Sequence, residues 1–351
     1  MPYIVASAHR YKNPRRQNRQ SQVLQLDAIV VEKLVKKFNG FAAVDGISFN
    51  VKKGELFGLL GPNGAGKSTT IYMLTTLLAP TSGHAYVNGF DVVSNPDEVR
   101  SSIGIVFQDP TVDTRLTAYD NLDIHGRLYG MDSQTRKERI DEVLELVELV
   151  DWRDKLVKTF SGGMRRRLEI ARGLMHTPEV LFLDEPTLGL DPQTRRHIWG
   201  YIEKLKKQGI SIMLTTHYLD EADHLCDRVA IMDHGRIKAI DTPKNLKAEI
   251  SGNLIYVSSS EPDKLAEAIT KAGLANDPKV KEMTVYFETK DGGRMVPKVL
   301  KVAQDAGIKV ESVELRMPSL EDVFIHYTGT DIREEKGAGS EMMARRRAHG
   351  H

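Results

Sequence analysis

The sequence has a single cysteine, two tryptophans, only 7% aromatic residues, no long apolar run and almost no net charge. Each shortage removes a class of protein. A lone thiol, Cys226, cannot close an intrachain disulfide, so a small secreted scaffold held by bridges is excluded, and an inert buried side chain is expected there. His224 and Cys226 lie two apart with no second pair of ligands, which argues against structural zinc. No window approaches the length of about 18 continuous apolar residues that a membrane-spanning helix needs, because charges interrupt even the runs at 180–183 and 229–232. A formal charge of +1 gives no general attraction to polyanions, and no nucleic-acid partner is expected.

What remains is ordinary for a folded protein: 351 residues, 40% hydrophobic and 28% charged, enough for two domains with buried cores. The first 22 residues carry Arg10, Lys12, Arg15, Arg16 and Arg19 and no acid, without the apolar core of a signal peptide. Residues 1–25 therefore read as a basic, solvated, disordered tail. A weak electrostatic touch on phospholipid headgroups is the other reading, at about 1 kcal/mol per basic residue. Residues 330–351, rich in glycine and charge, read as a second disordered tail.

Between the tails, strands and helices alternate. LDAIVVEKLVKKF at 26–38 reads as a strand, followed by a second at 46–51 and by the apolar core strand ELFGLLGP at 55–62. A helix is expected over 67–77, a strand over 100–107 and a mostly helical insert from 116 to about 175, whose segment RKERIDEVLELVELV carries Ile140, Val143, Leu144 and Val147 on one face. Strands at 180–183, 211–215 and 229–232 alternate with helices at 193–207 and 220–225, and a further helix from 243 closes a domain spanning 26–250. Residues 251–329 continue as strand, helix, strand, helix, strand, helix. That order suggests a small α+β unit of ferredoxin-like type.

Three segments carry chemistry. GPNGAGKST, from Gly61 through Pro62, Asn63, Gly64, Ala65, Gly66, Lys67 and Ser68 to Thr69, fits the phosphate-loop pattern G-x-x-x-x-G-K-[ST] and lies between an expected strand and an expected helix. The glycines let the backbone curl its amides toward an anion, Lys67 brings positive charge to the terminal phosphates, and Ser68 offers a hydroxyl to Mg²⁺. VLFLDEPT at 180–187 is a buried strand ending in two carboxylates. Asp184 suits the Mg²⁺ shell, and Glu185 suits orientation and deprotonation of an attacking water. FSGGMRRRLEIARGL at 160–174 places Ser161, Gly162 and Gly163 before a strong helix, which makes a second anion-binding helix start. One nucleotide needs only one such cradle, so the second points to a nucleotide held by another copy. Arg165, Arg166 and Arg167 point in different directions on a helix and read as a solvated or salt-bridged face.

This set of motifs resembles the nucleotide-binding domain of ABC transporters over about 26–250, with Phe160 where the family signature usually has leucine. The resemblance implies an α/β P-loop fold with a helical subdomain and a Mg²⁺-dependent ATPase. It also implies roles for further residues. Gln108 corresponds to the glutamine that contacts Mg²⁺ and the attacking water, Asp191 in LGLDP to the aspartate that crosses the dimer interface, and His217 in LTTHY to the histidine at the γ-phosphate. Phe38 corresponds to the aromatic that stacks on adenine, with a core role as its other reading and Phe41 as its neighbour and rival.

MRRRLEIARGL, LDPQTRRHIW, TTHYLDEADHLCDRVAIMDHGRI and PSLEDVFIHYTG are similar to the ATPase subunits of type-2 ABC exporters, including antibiotic resistance pumps of the daunorubicin kind. That likeness implies a homodimer with two ATP molecules sandwiched head to tail and a multispanning permease on a separate polypeptide. It implies a place on the cytoplasmic face of the membrane and a C-terminal module for dimerisation or regulation. A soluble ABC-type ATPase of DNA repair, translation or cluster assembly is the alternative. It would be favoured by a long coiled-coil insert or a second cassette, neither of which is present.

Overall fold

The computed structural model describes residues 27–250, 253–289, 291–316 and 318–328. The two expected tails and Leu26 lie outside them. The chain divides into two compact units that meet between Lys238 and Ala239.

The first unit contains two sheets. β1 (Asp27–Phe38) and β2 (Phe41–Lys52) form an antiparallel hairpin whose turn, Asn39-Gly40, has positive φ at both residues, as a tight right-twisted hairpin requires. After β3 (Leu56–Leu60) come the first helix, α1 (Lys67–Leu74), and then β4 (Ser82–Val87) and β5 (Phe90–Asp91), which complete a four-stranded sheet in the order β2-β1-β4-β5. β4 and β5 are absent from the sequence expectation. The polar SGHAYV becomes a strand only by pairing with β1.

The second sheet carries the chemistry. Its remaining strands are β6 (Ile103–Val106), β7 (Val180–Asp184), β8 (Ser211–Thr216), β9 (Arg228–Asp233) and β10 (Arg236–Asp241), in the order β10-β9-β3-β8-β7-β6. β3, β7 and β8 are parallel and buried along their whole length, which is why they read as continuous apolar runs. Their register pairs Leu60 with Thr216 and Asp184 with Thr215. Gly61, Glu185 and His217 therefore all emerge at one carboxyl edge, where open α/β sheets bind ligands.

The expected strand over 100–107 begins late. Residues 96–102 form a helix, α2 (Pro96–Ser102), opened by a proline at its first position, and the strand starts at Ile103. The helical insert comprises α3 (Ala118–Leu128), α4 (Ser133–Leu146) and α5 (Gly162–Gly173). A capping box at Thr117 and Asp120 opens the first, Asp132 caps the second and Ser161 caps the third. Two more helices, α6 (Pro192–Lys207) and α7 (Leu219–Leu225), precede β8 and β9. Cys226 follows α7 and is buried, its thiol pKa pushed well above the ordinary value by burial.

In the second unit, α8 (Pro243–Glu249) is capped by Thr242 and packs on α11 (Leu320–Thr328). Between them, β11 (Asn253–Ser259), α9 (Pro262–Lys271), β12 (Lys279–Lys281), β13 (Thr284–Thr289), α10 (Gly292–Asp305) and β14 (Val310–Arg316) give a βαββαβ order. The sheet runs β12-β13-β11-β14 and every pair is antiparallel, which is the split-βαβ topology of a ferredoxin-like module. Ile255, Val257, Val285 and Phe287 alternate inward to meet Leu265, Ile269 and Val299 of the two crossing helices.

Candidate active site

The loop after β3 is shaped by its glycines. Gly64 and Gly66 have φ of 82° and 104°, and a Cβ on Gly66 would lie 2.3 Å from the carbonyl oxygen of Ala43. Gly61 is equally confined, since its Cβ would meet the carbonyl oxygen of Met232 at 2.3 Å. Lys67, nearly buried at the start of α1, donates to the carbonyls of Gly61 and Pro62 at 2.7 and 3.0 Å and lies 3.9 Å from Oε1 of Glu185.

The two carboxylates of β7 are held differently. Oδ1 of Asp184 accepts hydrogen bonds from Ser68 at 3.2 Å and from Thr215 at 2.5 Å, while its buried Oδ2 has no partner among the described residues. Burial pushes the Asp184 pKa above its ordinary value, against the hydrogen bonds of Thr215 and Ser68. A buried, half-satisfied carboxylate beside a serine hydroxyl suits a hard divalent cation, which prefers oxygen ligands. No cluster of three or more His, Cys, Asp or Glu side chains suited to a metal exists among the described residues. A cation here would therefore rest on Asp184, Ser68 and the nucleotide's own oxygens.

Glu185 occupies a left-handed backbone conformation, φ 47°, which costs a non-glycine residue on the order of 1–3 kcal/mol. Its amide donates to both the carbonyl and the hydroxyl of Thr215. Its Oε2 faces Nδ1 of His217 at 3.2 Å. Burial raises the Glu185 pKa, but the bond and charge of His217, with Lys67 and Arg166, outweigh burial and leave it below the ordinary value. Nε2 of His217 is buried and has no partner among the described residues. Lys67, Ser68, Asp184, Glu185 and His217 are thus one contiguous constellation: a positive cradle, a cation-suited oxygen pair and an ionised carboxylate backed by an imidazole.

Ser161, Gly162, Gly163 and Asp191 form a second group. Ser161 accepts from the amide of Met164, Asp191 caps α6 by accepting from Gln193 and Thr194, and a Cβ on Gly163 would lie 2.4 Å from the Thr194 side chain. These contacts lie within the two helix starts themselves. Gln108 is exposed beyond β6, and the structure does not bring it into hydrogen-bonding contact with either carboxylate. Phe38 and Phe41 face each other across the hairpin and are 44% and 67% exposed, so the core reading of Phe38 is corrected. Phe160 is buried edge-on against Trp152.

The charge run is salt-bridged in part, and one of its members is not at the surface. Arg165 and Arg167 are partly exposed, but Arg166 is buried among backbone carbonyls with Glu169 as its ionic partner. Sequence reasoning also passed over Thr215, which fixes both Asp184 and Glu185, and the buried Glu221, which accepts from Thr187 and Trp199.

The fold and this constellation define a P-loop ATPase of the ABC class. The family model for "ABC transporter" matches residues 44–188, and that for "ATP-binding protein DrrA1-3-like, C-terminal domain" matches 242–328. The daunorubicin/doxorubicin resistance ATP-binding protein DrrA of Streptomyces peucetius is 42% identical over 326 residues, covering 90% of this chain and 98% of that protein. Among solved structures, cbiO1 from Clostridium perfringens, part of an ABC transporter complex, is 30% identical with a TM-score of 0.60 over 70% of this chain and 95% of that one. A dimeric ATP-binding cassette in a post-hydrolysis state, bound to ADP and phosphate, is 27% identical with a TM-score of 0.56 over 61% and 98%. The chain belongs to the ATP-binding subunits of ABC transporters, in the branch of the daunorubicin-resistance ATPases, and is an ATP-hydrolysing transport motor.

Proposed function

We propose that the chain drives export through a multispanning permease on a separate polypeptide, working as a homodimer on the cytoplasmic face of the membrane. The observation that carries this reading is the pairing of one hydrolytic constellation, Lys67, Ser68, Asp184, Glu185 and His217, with a second helix start at Ser161 whose side chain caps its own helix. A second copy facing the first would bring its Ser161, Gly162 and Gly163 to the nucleotide on the loop from Gly61 to Thr69, and Asp191 would line the same interface. Phe38 stacks on the adenine.

In this arrangement Lys67 neutralises the terminal phosphates. Glu185, kept ionised by His217, orients water and takes its proton, and His217 contacts the γ-phosphate. Ser68 and Asp184 would hold Mg²⁺, with Gln108 recruited from its exposed loop as a third ligand, and the ion would supply charge neutralisation on the phosphate oxygens. Among the described residues no helix is long and apolar enough to cross a membrane, so the pore is assigned to the partner.

The test is affinity capture of the tagged Glu185→Gln chain from gently solubilised membranes with ATP and Mg²⁺. Co-recovery of a multispanning protein supports the exporter motor. Recovery of soluble proteins or nucleic acid alone, where a control membrane complex survives, transfers the ATPase to a soluble role.

A further inference from the structure

We infer that Arg166, with Glu169, is a positioning pair that ties the helix starting at Ser161 to the backbone of the catalytic carboxylate and to the Gln108 loop. The inference rests on the reading of Glu185 as the hydrolytic base. The guanidinium spends its donors almost entirely on main chain: Nε on the carbonyl of Pro186 at 2.6 Å, Nη2 on those of Asp184 and Glu185 at 3.0 Å each, and Nη1 on that of Phe107, beside Gln108. Nη1 also meets Oε2 of Glu169 at 2.9 Å, and Oε1 of Glu169 accepts from the amide of Thr111 at 2.7 Å. Three residues further on, Arg172 donates to the carbonyl of Thr111. Spaced by three, residues 166, 169 and 172 share one face of α5. That face grips both flanks of Gln108.

A buried charge is costly unless it is paired and fully hydrogen-bonded, and this one is both. Its acceptors are instructive. Glu185 sits at φ 47°, and a planar fork holding the carbonyls on both sides of that residue fixes the strained turn and aims the side chain. Lysine keeps the charge but lacks the fork. Because Arg166 belongs to the helix that Ser161 caps, whatever Ser161 binds acts on a rigid element that holds the base.

Steady-state ATPase kinetics of the full chain test this with Arg166→Lys, Glu185→Gln and the double variant. The expected result is a kcat at least about tenfold lower for Arg166→Lys with KM for ATP within about twofold, since misplacing a catalytic group is costly while the phosphate cradle is untouched. In the Glu185→Gln background, Arg166→Lys then changes residual turnover less than about twofold, because a positioning residue has nothing left to position. Unchanged kcat for Arg166→Lys, or an equal loss in both backgrounds, overturns the inference. Full turnover by Glu185→Gln alone overturns instead the reading on which it rests. Glu169→Gln, which preserves shape, is the second variant should Arg166→Lys not fold, with the same expected loss and the same dependence on Glu185.

Discussion

At the scale of single residues, the site is built from groups whose alternatives are blocked. Gly66→Ala would force an alanine to φ 104° with its Cβ against the Ala43 carbonyl, so a loss of roughly 1–3 kcal/mol in stability and of nucleotide binding is expected in thermal melts and ATP titrations. Retention of both would mean that the loop has another conformation. Phe160→Leu tests the departure from the family signature. The buried ring packs edge-on against Trp152, so a cost of about 1 kcal/mol with unchanged kcat is expected from chemical unfolding and ATPase assays. The residues that announce themselves in the sequence, Lys67, Ser68, Asp184 and Glu185, do so because phosphate and cation chemistry needs those types at that spacing. Arg166 and Thr215 do not, because their partners are carbonyls and carboxylates from distant segments, and a charged residue in a run of three reads as part of a solvated or salt-bridged face.

At the scale of elements, legibility follows burial. β3, β7 and β8 are fully buried and declare themselves as apolar runs, whereas β4, β5 and β10 are polar strands at or near sheet edges whose existence depends on pairing. The helical insert adds a pH dependence that no motif signals. His125 on α3 is held at a pKa of about 4, lowered from 6.5 first by burial and then by the charges of Arg172 and His176, and burial also lowers His176, on which Tyr129 stacks. The unfolded chain binds protons at these imidazoles near pH 6.5 while the folded one does not, so stability falls as pH drops from 6.5 toward 4. Urea unfolding midpoints at pH 7, 6 and 5 should decline, and His125→Gln should flatten that decline. An equal slope in the variant would place the proton uptake elsewhere.

At the scale of the whole molecule, the proposed motor needs two surfaces of the chain. The parallel register brings the loop at 61–69, the carboxylates and the histidine to one sheet edge, and the proposal adds the Ser161 helix start of a second copy to that edge. The class of machine was legible because its motifs are chemical. The internal clamp between α5 and Glu185 was not, because it is made of main chain. The most direct test of the two-copy motor is the mass of the Glu185→Gln chain by sedimentation, with and without ATP and Mg²⁺, alongside the Glu185→Gln, Ser161→Arg double variant. The account predicts that ATP drives an association which Ser161→Arg abolishes while ATP still binds each copy. Saturating ATP with no change in mass, or an ATP-driven association indifferent to Ser161→Arg, would contradict it.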